Sequence, residues 1–408
     1  MLKKFHFYSG SNNLSDVVLL IKYIFFGFLT NSRNVETNTK KKFNNYLGAN
    51  DTYFFSSGRM ALYSILQSLG IGNNDEIIIP AFTCVVVPNA IIYSGAKPVY
   101  ADISLSDFNI DLKNIQSLIT KKTKAIYAQH TFGRKCNMRA LRRIADSHNL
   151  YLIEDSAHLF EKDQIVNSLA DVTFYSTDHS KVLNSHLGGF AASKNTEITT
   201  NLNAIYKNVL YPPKLICLKI YFSFVLEYLL FNQYVYFIGR YAHAFLVKSK
   251  VIFFYKDELF ITKPPIHLYP TKMPIGLMLL LGNQLKKIDT NLSHRFNVSS
   301  FFHEQFTCNN AELKKSHAML RYSILVKDRD IIKNIFGMID FNVWFTSVTE
   351  GRYSDFLKVN YLKGSCPNAE YACKHIINFP THERIDISYL SKVFRKNKTK
   401  ILGEIINK

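Results

Sequence analysis

A strand-like run, YLIED, ends on Asp155, and a second, DVTFYS, leads into DHSKVLNSHLGG, which presents Lys181. A lysine can hold an aldehyde cofactor as a Schiff base, and a carboxylate can keep a pyridine nitrogen protonated. Together these two demands describe pyridoxal 5'-phosphate (PLP) chemistry. Both residues fall just past the ends of predicted strands, where open α/β sheets place their ligands. An arbitrary lysine in a chain with 50 Lys and Arg is a solvated surface charge. Lys181 differs because it follows an apolar strand and precedes the specific turn VLNSHLGG. A desolvated lysine near other cations has a lowered pKa, which suits imine exchange and proton transfer.

Upstream, SSGRMALYSIL runs from a Ser-Ser-Gly turn into a helix that begins near Arg59. A helix N-terminus offers unpaired N–H groups and partial positive charge, which suits a phosphate. Gly58 lets the backbone approach an anion closely, and Ser57 either caps the helix or donates to a phosphate oxygen. Ser176, at the end of DVTFYS, is placed to bind the same phosphate. GIGNND, at residues 70–75, lacks the third glycine of a dinucleotide loop and follows a helix, so that reading is rejected. Asp155 either caps a following helix or faces a pyridinium, and His158 either hydrogen-bonds the ring hydroxyl or is a satisfied core histidine.

These residues need a scaffold. EIIIP, KPVYAD, KAIYAQH, YLIED, DVTFYS and GGFAAS read as short apolar strands, and MALYSILQSLG, VVPNAIIYSG, DLKNIQSLIT and NMRALRRIADSHN carry helical spacing. The alternation implies a mainly parallel, doubly covered sheet in an α/β large domain spanning residues 1–260. Within it, residues 203–260 form an atypical aromatic-rich helical segment. Lys219, Glu227, Asn232 and Gln233 interrupt its apolar run, and a charge at mid-bilayer costs about 3 kcal/mol, so it does not read as a membrane span. Two amphipathic helices are expected there, to cover the core, pair two subunits or lie in a membrane interface. A smaller α+β domain is expected over 261–408, with a helix in IGLMLLLGNQLKKIDTNLSHR, strands in YSILV and FNVWF, and a helix in AEYACKHIIN.

The composition fits a chain with a substantial packed core. With 408 residues, 47% hydrophobic and 14% aromatic, the chain is neither disordered nor fibrous. Its +19 net charge is spread out with no nucleic-acid-binding module, so it favours phosphorylated small molecules or a membrane surface over nucleic acid. The six cysteines (Cys84, Cys136, Cys217, Cys308, Cys366, Cys373) show no CxxC pairing and read as free thiols of a reducing compartment. The thirteen histidines form no HxxxH or Cys/His cluster, so no metal is expected. VVLLIKYIFFGFL is broken by Lys22 and is too short to span a bilayer. The expected location is the cytoplasm, with peripheral contact to the inner face of the membrane through 203–260 left open.

With these residues in place, the chain resembles the DegT/StrS family of PLP-dependent sugar aminotransferases, which share the aspartate-aminotransferase (type I) fold. The resemblance runs through SSGRMAL, LGIGNNDEIIIPAFT, NAIIYSGAKPVYADI, ITKKTKAIYAQHTFG, YLIEDSAH and FYSTDHSK, and resumes at QLKKIDTNLSHR, RYSILVKDRD and CPNAEYACKHIINFPTH. It implies a seven-stranded sheet, with Lys181 as the Schiff-base lysine and Asp155 as the partner of the pyridine nitrogen. Ser57, Gly58, Arg59, Met60 and Ser176 would hold the phosphate, and His158 would contact the ring. The implied reaction moves an amino group from an amino acid, glutamate, to a nucleotide-linked keto sugar, in a homodimer. Cys84 stands where the family often stacks an aromatic on the ring. Some relatives replace the lysine by histidine and act as dehydratases; here Lys181 is retained two residues after His179, which favours transamination. A sugar dehydratase or deoxygenase and a membrane-associated non-catalytic protein of this fold are the alternatives.

Overall fold

The computed structural model describes residues 4–6, 10–253, 269–306 and 318–406, and of Phe28 the backbone only. Its first half holds β1 (Asp51–Phe55), β2 (Glu76–Pro80), β3 (Thr83–Cys84), β4 (Lys97–Ala101), β5 (Thr123–Gln129), β6 (Tyr151–Asp155), β7 (Val172–Ser176) and β8 (Gly189–Ser193). All but β3 join one seven-stranded sheet in the order β1-β8-β7-β6-β5-β2-β4. Strands β4, β2, β5, β6 and β7 run parallel, and β8 runs against both β7 and β1. Ile77, Ile78, Ile79, Leu152 and Ile153 are all fully buried, as strands covered on both faces require. The expected α/β architecture is therefore present.

Beyond residue 269 a second unit forms around β9 (Arg321–Leu325) and β11 (Ile376–Pro380), which pair antiparallel. Phe302, Tyr322, Phe336, Phe379 and Phe394 pack there with Phe5 from the start of the chain. A two-residue strand, β10 (Thr349–Glu350), pairs parallel with β3 in a separate two-stranded sheet and ties this unit to the first half of the chain at Cys84. The strand expected in FNVWF does not form. Asn342 takes a left-handed φ of 32°, which interrupts an extended run, and the Trp344 amide donates to Asn378 Oδ1 at 2.6 Å. AEYACKHIIN divides between the helix Pro367–His375 and β11. IGLMLLLGNQLKKIDTNLSHR becomes two helices, Ile275–Leu285 and Ile288–Phe306, the first buried in the main core through Leu277, Met278, Leu280 and Leu281.

The aromatic-rich stretch folds as the helices Lys214–Leu230 and Tyr236–Lys248, with residues 254–260 outside the described part. Ile220, Tyr221 and Phe224 enter the core, while Leu215, Phe222, Leu229, Phe237, Ile238 and Phe245 are exposed. Among the described residues, no helix is long and apolar enough to cross a membrane. A domain division at 260/261 and Cys308 both fall outside the described residues.

Candidate active site

The helix Gly58–Ser68 starts at the C-terminal edge of the sheet. Ser57 is its N-cap, with Oγ accepting the Met60 amide at 3.3 Å. The preceding turn is pinned by Ser56, whose hydroxyl donates to the Lys272 carbonyl at 2.7 Å. A methyl on Gly58 would sit 3.0 Å from Ser176 Cβ, and one on Gly189 would come within 2.5 Å of the Gly58 backbone. Only glycines let the helix start lie flat against the end of β7, with Ser176 beneath it. Ser57, Gly58, Arg59 and Ser176 line a cavity of about 470 Å³. Met60 does not: its side chain is buried in the core and its amide is held by Ser57.

Asp155, His158 and Lys181 line the same cavity. Asp155 is buried; its Oδ2 accepts the Tyr127 hydroxyl at 2.6 Å and its Oδ1 the Ala157 amide at 2.8 Å. Burial raises its pKa, and those hydrogen bonds and Lys181 offset this only in part. After Asp155 no helix begins before Gln164, so Asp155 is not a helix cap. The carboxylate retains lone pairs for one more donor. His158 stacks on Phe132 with centroids 5.7 Å apart, and its Nδ1 accepts the Phe132 amide at 3.1 Å, which leaves the ring proton on Nε2. Burial, then Lys181 and Arg321, hold this ring neutral. Lys181 Nζ lies 4.9 Å from the centre of the Trp344 ring. Burial lowers the pKa of Lys181, against the opposing pull of Asp178, Cys84 and Asp155. An amine on one side, a carboxylate at a strand end and a glycine-opened helix start thus face one space, a donor set that fits a phosphorylated pyridine aldehyde.

Residues 24–209 match the model of the DegT/DnrJ/EryC1/StrS aminotransferase family. The resemblance read from the motifs holds over that stretch, which contains Ser57, Gly58, Arg59, Met60, Asp155, His158, Ser176 and Lys181, while Trp344, Lys272 and Arg321 lie beyond it. GDP-perosamine synthase of Vibrio cholerae is 37% identical over 141 residues, 34% of this chain and 38% of that protein. Spore coat polysaccharide biosynthesis protein SpsC of Bacillus subtilis is 32% identical over 169 residues, 41% of this chain and 43% of that protein. The chain thus spans less than half the length of these relatives in sequence. In structure the likeness is longer: NtdA of Bacillus subtilis, solved with its cofactor PMP, has a TM-score of 0.72 over 97% of this chain and 84% of its own, at 18% identity. The fold is that of the PLP-dependent aminotransferases.

Sequence reasoning missed several residues of the site in this family-matched region and beyond it. Tyr127 read only as an apolar strand position, yet its hydroxyl holds Asp155. Trp344, the only tryptophan in the chain, lies in FNVWF, which reads as a strand. Cys84 does line the cavity, its thiol pushed up by burial, and Trp344 brings an aromatic face to it from the second unit.

Glu154 points to the opposite face of β6 from Asp155, as strand alternation dictates. Its carboxylate accepts from His130 Nε2 at 3.0 Å, Gln164 Nε2 at 2.9 Å and Thr173 Oγ1 at 3.0 Å, and also from Ser168. Burial opposes its ionisation, but His130 and these donors hold its pKa at about 2. A carboxylate lowered in the folded state stabilises the fold fully above its ordinary value, and that contribution is lost as pH falls towards about 2. Glu154→Gln is expected to lower stability at neutral pH by about 3 kcal/mol and to flatten the acid limb of the melting-temperature profile. An unchanged acid limb would show that the pair carries no stability.

Proposed function

We propose that this protein is a PLP-dependent aminotransferase that moves the amino group of L-glutamate onto a nucleotide-linked keto sugar, in polysaccharide or modified-sugar biosynthesis. The observation that carries this reading is the convergence of Lys181, Asp155 and the Gly58 helix start on one cavity. When bound, the cofactor supplies an electron-accepting ring for charge that develops at the donor's Cα. Asp155 would keep the ring nitrogen protonated, and the His158 Nε2 proton would meet the ring hydroxyl. Ser57, Ser176 and the backbone at Gly58 and Arg59 would take the phosphate, while Met60 keeps the turn in shape through its bond to Ser57. Lys181, its proton loosened by burial, would carry a proton between the donor Cα and the cofactor carbon.

The nucleotide-linked acceptor is supported by relatives named GDP-perosamine synthase and by a +19 charge suited to a diphosphate. A homodimer is part of this reading; its support is the run of exposed Phe222, Phe237, Ile238 and Phe245 on helices next to the cavity residue Glu227. The test is incubation of purified protein with PLP, L-glutamate and a panel of nucleotide-linked keto sugars, with products read by mass spectrometry. The expected result is one amino sugar formed in step with 2-oxoglutarate. Loss of sugar oxygen without gain of nitrogen, or no product from any acceptor, would overturn the reading.

A further inference from the structure

The loop between β7 and β8 carries two histidines on either side of Lys181, and the fold brings a buried glutamate to them. Ligand-capable atoms of His179, His186 and Glu227 all lie within 4.8 Å of one another. His186 is 2% and Glu227 5% exposed. His186 Nδ1 pairs with Glu227 Oε2 at 3.1 Å, an ion-pair distance without aligned hydrogen-bond geometry, and His186 Nε2 has no hydrogen-bond partner among the described residues. Buried polar atoms left in this way are costly unless something takes their lone pairs.

The surroundings fix all three side chains. Asp178 Oδ1 stands 2.7 Å from His179 Nδ1, and His243 Nε2 stands 3.1 Å from Glu227 Oε1. Asn184 clamps the loop, donating to the His179 carbonyl at 2.7 Å and accepting the His186 amide at 2.9 Å. Metal-binding histidines and carboxylates are oriented by just such outer partners. Two imidazoles and a carboxylate suit a first-row divalent ion, zinc above all. A tetrahedral ion at about 2.1 Å from each ligand needs ligand atoms roughly 3.4 Å apart, so side-chain rotations of about 1 Å would close the site. Sequence spacing hides this set, since Glu227 lies 41 residues after His186 on the aromatic-rich helix.

We propose that His179, His186 and Glu227 bind one divalent transition-metal cation, Zn2+ by its ligand chemistry, whose open position faces the cavity that Lys181 also lines. Three protein ligands with a vacant position are the pattern of an ion that takes an oxygen of a bound small molecule. The site's occupancy does not depend on the transamination reading, so the two can fail separately.

The test is calorimetric titration of Zn2+ into the full-length, chelator-treated protein. One equivalent is expected to bind. His186→Ala and Glu227→Gln should each raise Kd by about 100-fold or more, and His243→Ala, which removes only the support of Glu227, by roughly 10-fold. Absence of stoichiometric binding, or binding that survives both ligand substitutions, would overturn the proposal. Should the variants fail to fold by circular dichroism, X-ray absorption on the zinc-loaded wild type decides. Two imidazoles with oxygen ligands support the site; a sulfur ligand or no imidazole sinks it.

Discussion

Replacing Lys181 by alanine is expected to lower kcat by about 10,000-fold or more and to abolish the visible absorbance of cofactor held through Nζ. The effect should be this large because one nitrogen has two tasks, holding the cofactor and moving the proton. The fold should survive. Among the described residues Lys181 makes no ion pair, and its contact with the face of Trp344 at 4.9 Å is worth about 1 kcal/mol. Burial already disfavours its charge, so removing it relieves a cost. Lys181→Arg separates charge from nucleophile, because arginine keeps the cation over Trp344 but stays protonated. Neither variant should show the absorbance, and both should match the wild type by circular dichroism. A cofactor spectrum unchanged in Lys181→Ala would remove the basis of the proposed function.

What the sequence made legible follows from where the apolar runs are continuous. YLIED is β6 to the residue, and the ends of β2, β7 and β8 fall within one or two positions of the runs EIIIP, DVTFYS and GGFAAS. A parallel sheet buried on both faces writes itself as uninterrupted Val, Ile and Ala. Ser57 as N-cap was legible for a similar reason, since a cap needs only local backbone, whereas Ser176 was legible as the end of its strand and only the fold sets it under Gly58. The parts that were not legible come from distant segments. Trp344 reaches the cavity from a stretch that resembles a strand but is interrupted at Asn342, and a pairing as short as β10 with β3 leaves no periodicity to read. Glu227 looked like a charge that merely broke an apolar run; packing places it against His186 and His243. Tyr127 shows the same limit within a well-read strand. Its ring satisfies the apolar pattern, while its hydroxyl donates to Asp155.

Asp155→Asn should separate catalysis from stability by sign. Asparagine keeps an acceptor for the Ala157 amide, and the Tyr127 hydroxyl can turn to accept from the new amide nitrogen. The site's shape is therefore preserved while its charge is lost. Without that charge the ring nitrogen is no longer held protonated, and kcat should fall by roughly 100- to 1,000-fold, the scale of removing one preorganised electrostatic partner. Stability of the cofactor-free protein should move the other way. Burial raises the pKa of Asp155 in the folded state, so the stability this group contributes is complete below its unfolded value and lost as pH rises through the raised one. At neutral pH the unliganded protein thus holds an unfavourable buried carboxylate, and asparagine relieves it. Melting curves without cofactor should show Asp155→Asn above the wild type at neutral pH and converging with it in acid, while PLP stabilises the variant less than the wild type. A residue that served only to hold the strand end would lose stability and activity together. A variant less stable than the wild type without cofactor, or one as active as the wild type, would refute the assignment of Asp155 as the partner of the ring nitrogen.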